Sequence, residues 1–257
     1  MSFQTIRVER EDAIAIVTLD RPPANAINRT LVEEINQAIT ELEHDDLVRS
    51  IIVTGAGDRI FCGGADLGEG FGGGEIDDFV KFGQEVLNRI EQCGKPVIGA
   101  LNGHATGGGC ELAMACHLRI MKESARLGQT ESNLGIIPGF GGTQRLPRLI
   151  GRTRAMEYLL LGTQILAPEA LALGLVNRLS KDGATLTDAK TLARQLAERA
   201  PIATRFIIQC VNRGLDTTLG EGLEIERKQF VSVVSTEDAL EGIQAFFQKR
   251  KPEFKGK

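Results

Sequence analysis

The chain has 257 residues, of which 42% are hydrophobic and 25% are charged, and its formal net charge is −4. These values are typical of a globular protein with a sizeable core, and the lack of a like-charge block before the C-terminal KRKPEFKGK argues against a nucleic-acid surface. Five scattered cysteines without metal-type spacing, a polar N-terminus and no apolar run of about 18 residues predict a reduced, soluble, cytoplasmic-type protein without a membrane segment.

The first 78 residues alternate between strand and helix signals. IRVERE and AIAIVTLD predict a hairpin that turns at Glu11–Asp12, and the proline-marked loop RPPANAIN follows. From Thr30 to about His44 the apolar residues recur at helical spacing, which predicts an amphipathic helix. SIIVTGAG (50–57) is typical of a buried strand that ends in a glycine turn, and FCGGADL (61–67) of a second short segment. We expect the glycine-rich loop EGFGGGEIDD (69–78) to be mobile.

The order of strand, glycine turn, short strand and helix recurs. KPVIGALNG (95–103) is a strand followed by the helix that GGGCE opens, and LRIMKESARLGQ (118–129) supplies two more short strands before a helix near Thr143. Beyond residue 150 helical patterns dominate, in RTRAMEYLLLG, in PEALALG and across 187–199, 202–213 and 218–249. The sequence therefore predicts an α/β protein with a spiral of ββα units over residues 1–195 and a helical region over 196–257.

Several motifs of other enzyme classes are absent. GFGGTQR has Gln144 where the dinucleotide fingerprint needs a third glycine, and there is no phosphate loop, GxSxG elbow, HExxH motif or EF-hand loop. The histidines His44, His104 and His117 do not form a metal-ligand pattern, so we interpret each as structural. These observations count against hydride transfer, serine hydrolysis and zinc chemistry, and we expect no metal site.

Two glycine-bounded segments follow strands, GGAD (63–66) and GGGCE (107–111). Loops of this kind can leave main-chain N–H groups unpaired, and two such groups that converge can hold an oxyanion. A helix begins directly after the second glycine run, so its N-terminal N–H groups and its dipole favour negative charge there. The alternative is that the glycines only permit tight turns.

Two glutamates stand beside these segments. Glu111 opens an otherwise apolar helix, and Glu131 follows a short strand in GQTESNLGIIPG. Two carboxylates near one polarised substrate can divide acid and base roles, and burial raises a carboxyl pKa whereas helix N-terminal donors lower it. The alternative, a pair of ordinary buried or capping glutamates, stays open on spacing alone.

The combination resembles the crotonase (enoyl-CoA hydratase/isomerase) superfamily over nearly the whole chain. The resemblance is carried by LDRPPANAIN, IIVTGAGDRIFCGGADL, KPVIGALNGHATGGGCELAMACHLRI, GQTESNLGIIPGFGGTQRLPRLIG and AFFQKRKPEF, of which the third and fourth blocks are highly specific. It implies a crotonase-like spiral of ββα units whose C-terminal helices form a trimerisation region, and assembly as a homotrimer or a dimer of trimers.

The resemblance also implies roles for the glycines and glutamates. In crotonase-like proteins the thioester carbonyl of an acyl-CoA lies between two backbone N–H groups, which here belong to Ala65 and Gly108, and an enolate is stabilised there. Glu111 and Glu131 are expected to hold one water over the C2=C3 bond. Glu111 helps to deliver hydroxide to C3 and Glu131 supplies a proton to C2, while Gly139 is part of the wall near that water.

Coenzyme A contacts are implied in two regions. The first region comprises two segments that match those with which the family holds the pantetheine and adenine of coenzyme A. Its residues are Arg21, Ala24 and Ala26 in RPPANAIN and Ala65, Asp66 and Leu67 in GADL. Phe246 and Lys249 match a region that often reaches the CoA of a neighbouring subunit, although the KRK tail is equally typical of a solvated basic end.

The predicted activity is therefore that of an enoyl-CoA hydratase, a hydro-lyase with no metal or redox cofactor and with CoA only as part of its substrate. Isomerase and hydrolase relatives often lack one or both glutamates, and this chain has both. Two reactions on the same scaffold stay open, Δ3–Δ2 isomerisation and hydration of a cyclic dienoyl-CoA, and the two glutamates weigh against the first only. The glycine cluster in 69–78 departs from the family pattern beside the acyl pocket, which leaves chain length and ring preference open. Thioester hydrolysis and a non-catalytic CoA-binding or RNA-binding module are more distant alternatives.

Overall fold

Ten strands form two sheets in the part of the chain that the computed structural model describes, residues 3–68 and 76–257. The strands are β1 (Ile6–Glu11), β2 (Ile14–Leu19), β3 (Ser50–Gly55), β4 (Ile60–Cys62), β5 (Val97–Leu101), β6 (His104–Thr106), β7 (Leu118–Lys122), β8 (Arg126–Gly128), β9 (Ile165–Leu166) and β10 (Arg178–Ser180). The helices are α1 (Arg29–His44), α2 (Ile76–Gln92), α3 (Gly108–Ala115), α4 (Gly142–Ile150), α5 (Arg152–Leu161), α6 (Ala167–Ala172), α7 (Thr185–Ala197), α8 (Pro201–Leu215), α9 (Leu219–Val233) and α10 (Glu237–Gln248).

The sheet topology is that of a spiral. The larger sheet has the order β1-β2-β3-β5-β7-β10, and the smaller one has the order β4-β6-β8-β9. Each ββα unit places its first strand in the larger sheet and its second strand in the smaller sheet, as β3 and β4, β5 and β6, and β7 and β8 do. All pairs are parallel except β1 with β2 and β8 with β9. The predicted α/β spiral is therefore confirmed.

The central strands of the larger sheet are covered on both faces. β3 and β5 are buried along their whole length, which is why their sequences are continuous apolar runs rather than alternating ones. On one face, Ile52 and Ile98 pack in a cluster with Ala189 and Leu192 of α7. The other face contributes to the main core, which includes the apolar side of α1.

The boundaries of the early elements agree with the sequence prediction. The hairpin turns at residues 12–13, where Asp12 adopts a positive φ of 54°, and α1 begins after Asn28, whose side chain accepts from the N–H of Leu31. The stretch 218–249 consists of two helices, because Thr236 caps a new helix after the end of α9. The short strands β9 and β10 lie where the sequence shows mainly helical patterns. Residues 69–75 of the loop predicted to be mobile lie outside the described part, and residues 76–78 begin α2.

The C-terminal helices leave much apolar surface uncovered. Neither α8 nor α9 contains a buried residue. Large exposed apolar side chains on α8 to α10 are Ile207, Val211, Leu215, Leu219, Leu223, Phe230, Val231, Leu240, Ile243, Phe246 and Phe247. The chain end is nevertheless held in place, since the buried carboxylate of Asp238 accepts from the N–H groups of Lys255 and Gly256 at 2.6 and 2.8 Å.

Candidate active site

A cavity of about 660 Å³ lies where the ends of β4 and β6 meet α2 and α3. Its wall combines main chain from GGAD and GGGCE, the carboxylates of Glu111 and Glu131, and apolar side chains of α2 and of the segment 134–140. The two glycine-bounded segments and the two glutamates singled out in the sequence thus surround one space, although as many as 68 positions separate them along the chain.

Two backbone N–H groups converge at this cavity, those of Ala65 and Gly108. Ile27 pairs with the strand-like segment 64–66 by donating to the Gly64 oxygen at 2.7 Å and accepting from the N–H of Asp66 at 2.8 Å, so the intervening N–H of Ala65 faces the opposite side. Gly108 is the first residue of α3, so its N–H has no intrahelical acceptor. A Cβ atom placed on Gly108 would be only 3.6 Å from the Ala65 nitrogen. Within the described residues, neither N–H donates to another group.

Two of the three consecutive glycines have separate structural reasons. Gly107 has φ 53° and ψ −126°, a conformation that L side chains rarely adopt. Gly109 permits close approach, because a Cβ atom there would be 2.1 Å from the carbonyl oxygen of Cys62. Close contact between α3 and the end of β4 therefore brings Gly108 beside Ala65.

Glu111 is almost completely buried, with 1% of its surface exposed. Its Oε1 accepts from the N–H of Phe140 at 2.8 Å and from the N–H of Gly142 at 2.7 Å. Burial raises the pKa of Glu111 to about 7, with a further increase from the charge of Glu131, although both backbone hydrogen bonds act in the opposite direction. The carboxyl is thus fixed through one oxygen and changes its charge near neutral pH.

Glu131 is half-buried and begins a short 3₁₀ turn that ends at Leu134. Burial raises its pKa as well, against hydrogen bonds from the backbone. Its Oε1 is 3.1 Å from the position that a Cβ on Gly107 would occupy, which places this carboxylate beside the oxyanion-type N–H groups.

Gln129 holds Glu131 in position, a role that the sequence analysis missed. With its amide nitrogen toward the carboxylate, the buried Gln129 side chain donates to Oε1 at 3.0 Å and to Oε2 at 3.2 Å. The available signal was a polar residue two positions before a glutamate and directly after the short strand β8, whose last two residues are buried.

Arg145 was also missed, and it supports the loop that holds Glu111. Its buried guanidinium donates to the carbonyl oxygen of Phe140 at 2.8 Å, the residue whose N–H bonds to Glu111. On its other side it donates to Glu91 at 2.9 and 3.1 Å and to Asn88 at 2.6 Å. The signal was an arginine directly before the apolar Leu146 in the helix pattern QRLPRL.

The residues predicted to contact coenzyme A near the N-terminus lie next to one another. Arg21 pairs with Asp66 at 2.7 Å, which lowers the pKa of that carboxyl, and it also donates to the carbonyl oxygen of Ala26 at 3.1 Å. The carbonyl oxygen of Ala24 accepts from the N–H of Gly63 at 2.9 Å, and Leu67 is exposed at the edge of the cavity. The loop RPPANAIN therefore lies along GADL.

Phe246 and Lys249 do not line the cavity of their own chain. Phe246 is 78% exposed and stacks edge-to-face on Phe247, while Lys249 ends α10 with a positive φ. Of the basic residues that follow, Arg250 pairs with Glu241, and Lys251 pairs with Glu198 at 2.7 Å. Their role toward a neighbouring subunit stays a prediction.

Residues 3–68 and 76–257 contain neither a candidate membrane helix nor a metal-type cluster of side chains. Over these ranges no helix has the length and apolar character required to cross a membrane. The same residues contain no group of three or more His, Cys, Asp or Glu side chains that could hold a metal ion.

The family model of enoyl-CoA hydratase/isomerase matches residues 9–257. The chain belongs to this enoyl-CoA hydratase/isomerase family. This result confirms the crotonase resemblance drawn from the sequence. Short-chain-enoyl-CoA hydratase of Clostridium acetobutylicum is 41% identical over 256 residues that cover 98% of each chain, and crotonyl-CoA hydratase of Syntrophomonas wolfei is 40% identical over 99% of each.

Solved structures of the enoyl-CoA hydratase/isomerase family have the same fold. The crystal structure of enoyl-CoA hydratase from Bacillus anthracis is 40% identical and superposes with a TM-score of 0.96 over 99% of this chain and 100% of that one. An enoyl-CoA hydratase structure from Geobacillus kaustophilus is 34% identical, with a TM-score of 0.96 over 100% of this chain and 98% of the other.

Proposed function

We propose that this protein is an enoyl-CoA hydratase, a hydro-lyase that adds water reversibly and syn across the C2=C3 bond of a 2-enoyl-CoA to give a 3-hydroxyacyl-CoA. The observation that carries the proposal is the presence of two carboxyls, Glu111 and Glu131, in the cavity that also receives the N–H groups of Ala65 and Gly108. The names of the relatives, which are enoyl-CoA and crotonyl-CoA hydratases, support it.

The thioester oxygen accepts from the N–H groups of Ala65 and Gly108. When hydroxide bonds to C3, the electron pair of the double bond moves toward the thioester and this oxygen becomes negative. Each N–H group of such a pair contributes about 3 kcal/mol to transition-state stability, and the N-terminus of α3 adds its dipole. The glycines allow the thioester to approach the main chain closely.

The two glutamates act on opposite proton transfers. Glu111 is held through Oε1, so its Oε2 is available to take a proton from water. The oxygen of that water bonds to C3 in the same step. Glu131, whose raised pKa favours the protonated form, donates its proton to C2. A pKa near 7 lets Glu111 accept a proton at neutral pH and release it again. Gly139 forms part of the cavity wall beside the attacking water.

The substrate's coenzyme A is held by Arg21, Ala24, Ala26, Ala65, Asp66 and Leu67, and no metal or redox cofactor is required. Assembly completes the coenzyme A site: Phe246 and Lys249 contact the CoA of a neighbouring subunit in a homotrimer or a dimer of trimers. The many exposed apolar side chains of α8 to α10 support this assembly, because clusters of exposed apolar side chains mark interaction sites. In the same proposal residues 1–195 carry the acyl-CoA site, residues 196–257 serve oligomerisation, and the protein works in the cytoplasm without nucleic-acid or membrane partners.

The test is the loss of conjugated thioester absorbance when the purified protein is mixed with crotonyl-CoA. We expect rapid loss, formation of 3-hydroxybutyryl-CoA and no free thiol. Free CoA detected with a thiol reagent would indicate a hydrolase, and absorbance gained from a 3-enoyl-CoA without hydration would indicate an isomerase. If linear 2-enoyl-CoAs stay unchanged, turnover of cyclic dienoyl-CoAs would favour the alternative hydratase. Salt-dependent retention on RNA together with no turnover would contradict the proposal.

Replacing Arg145 by Met is expected to lower kcat/KM for crotonyl-CoA about tenfold to a hundredfold, because the Phe140–Gly142 loop loses the donor that holds it. The positive charge of Arg145 lowers the pKa of Glu111. Its removal raises that pKa, so the pH at which activity increases should move upward. The measurement is the pH profile of kcat/KM, with exposed Arg152→Met of α5 as the control. A reduced rate with an unmoved profile would leave Arg145 with a purely structural role.

A further inference from the structure

The side chain of Phe140 forms part of the cavity wall next to the oxyanion-type N–H groups. Phe140 is 5% exposed, and its Cδ2 is 3.4 Å from the position that a Cβ on Gly108 would occupy. It stacks edge-to-face on Phe79 of α2, with ring centroids 5.5 Å apart and an interplanar angle of 80°. The apolar wall between Gly108 and α2 is therefore an aromatic pair.

Gly83 provides the space in α2 for this ring. A Cβ atom at Gly83 would lie 2.4 Å from Cε1 of Phe140 and 2.9 Å from Cζ, far inside van der Waals contact. Glycine inside a helix costs about 1 kcal/mol relative to alanine, so its presence in the middle of α2 has a packing cause. With Gly83 on one side and Gly108 on the other, the Phe140 ring has little freedom to move aside.

We propose that Phe140, seated against Gly83 and Phe79, limits the acyl chain and makes the protein selective for short 2-enoyl-CoAs. This inference rests on the proposed hydratase function. An acyl chain whose thioester oxygen lies at Ala65 and Gly108 begins beside Gly108 and therefore beside the ring. The apolar side chains that line the cavity belong to α2 and to the segment 134–140, so carbons beyond the reacting C2 and C3 run along the wall to which this ring belongs. Because interiors are close-packed and the ring is held on three sides, a longer chain has to displace it.

The experiment measures kcat/KM of the full-length protein for linear trans-2-enoyl-CoAs of four, six, eight and ten carbons. The quantity compared is the ratio of the eight-carbon to the four-carbon substrate, because the N–H of Phe140 holds Glu111 and any disturbance of that contact reduces all rates together. We expect Phe140→Ala to raise the ratio about tenfold to a hundredfold, and Phe140→Leu to raise it less. Gly83→Ala should lower the ratio, because the new Cβ pushes the ring into the cavity.

The matched control is Phe82→Ala, which removes an equal ring from α2, the helix of Gly83 and Phe79, at a position that does not line the cavity. Its ratio should stay within about twofold of wild type. The inference is overturned if the eight-carbon to four-carbon ratios of Gly83→Ala, Phe140→Ala and Phe140→Leu also stay within about twofold of wild type. If Phe140→Ala does not fold, Phe140→Leu and Gly83→Ala decide by the same ratio. Wild-type turnover with unchanged ratios contradicts only the chain-length limit, whereas no turnover of any of the four substrates contradicts the hydratase function on which it rests.

Discussion

Glu111→Gln is expected to lower kcat/KM for crotonyl-CoA by about a thousandfold and, in the same protein, to increase stability above pH 7. The loss of activity follows because a neutral amide does not accept a proton from the attacking water. The fold should be retained, since the amide oxygen of glutamine can accept from the N–H groups of Phe140 and Gly142 as Oε1 of Glu111 does.

The gain in stability follows from the raised pKa of the buried carboxyl. Because the pKa of Glu111 in the folded protein is about 7, compared with an ordinary value of 4.5, ionisation favours the unfolded chain. The contribution of this one group to stability is therefore fully present below about pH 4.5 and is lost as the pH rises through 7. A rise of the pKa from 4.5 to about 7 corresponds to about 3 kcal/mol of unfolding free energy at high pH, which the glutamine variant does not lose.

The measurement is urea unfolding of wild type and Glu111→Gln at pH 5.5 and pH 8.5, beside the rate with crotonyl-CoA. The control is Glu33→Gln, which changes an exposed carboxyl on α1 and should alter neither activity nor the pH dependence of stability. A Glu111→Gln variant whose stability falls with pH as steeply as that of the wild type would refute the raised pKa. An active variant would remove Glu111 from the chemistry.

Gly109→Ala is expected to destabilise the protein by roughly 3 kcal/mol and to lower kcat/KM at least about a hundredfold in the molecules that fold. The Cβ atom would lie 2.1 Å from the carbonyl oxygen of Cys62 and 2.7 Å from its carbonyl carbon. These are backbone atoms that no rotamer change can move, so α3 has to shift away from the end of β4. That shift separates the N–H of Gly108 from that of Ala65, and two donors that no longer converge stabilise the oxyanion poorly.

Chemical unfolding and crotonyl-CoA kinetics together test this expectation. The control is Gly220→Ala in the first turn of α9, where a Cβ atom would meet nothing within 4 Å. This change should be neutral or slightly stabilising, because alanine favours the helix more than glycine does. Wild-type stability and rate in Gly109→Ala would show that the contact between α3 and β4 is loose and that the oxyanion geometry has another origin.

Much of the site could be predicted from the sequence because its parts are local. The glycines of GGAD and GGGCE, each after a strand, indicated main-chain N–H groups free to bind an oxyanion, and the described structure places both segments at the cavity. Helical and strand spacing predicted α1, the first hairpin and the repeated ββα order, since these patterns depend on residues a few positions apart. The strands that were not predicted, β6, β9 and β10, are two or three residues long, too short for a periodic pattern to be detected, and α2 was not predicted because its first residues follow the glycine-rich loop.

Contacts between distant parts of the chain were decided only by the tertiary structure. The division of each ββα unit between two sheets depends on strand pairing, which no local pattern encodes. The support that Arg145 provides through Phe140, and the fit of Phe140 against Gly83, join residues that are far apart in sequence or in different elements.

By itself, then, the sequence determined which local elements form and which chemical groups are available, namely two carboxyls and two glycine-bounded sets of N–H donors. The tertiary structure decided which of those groups meet and in what environment. The reason is physical: propensity and spacing act over a few residues, whereas the burial that raises the pKa of Glu111 and the close packing at Gly109 and Phe140 arise only when α2, α3 and the 130–142 segment come together.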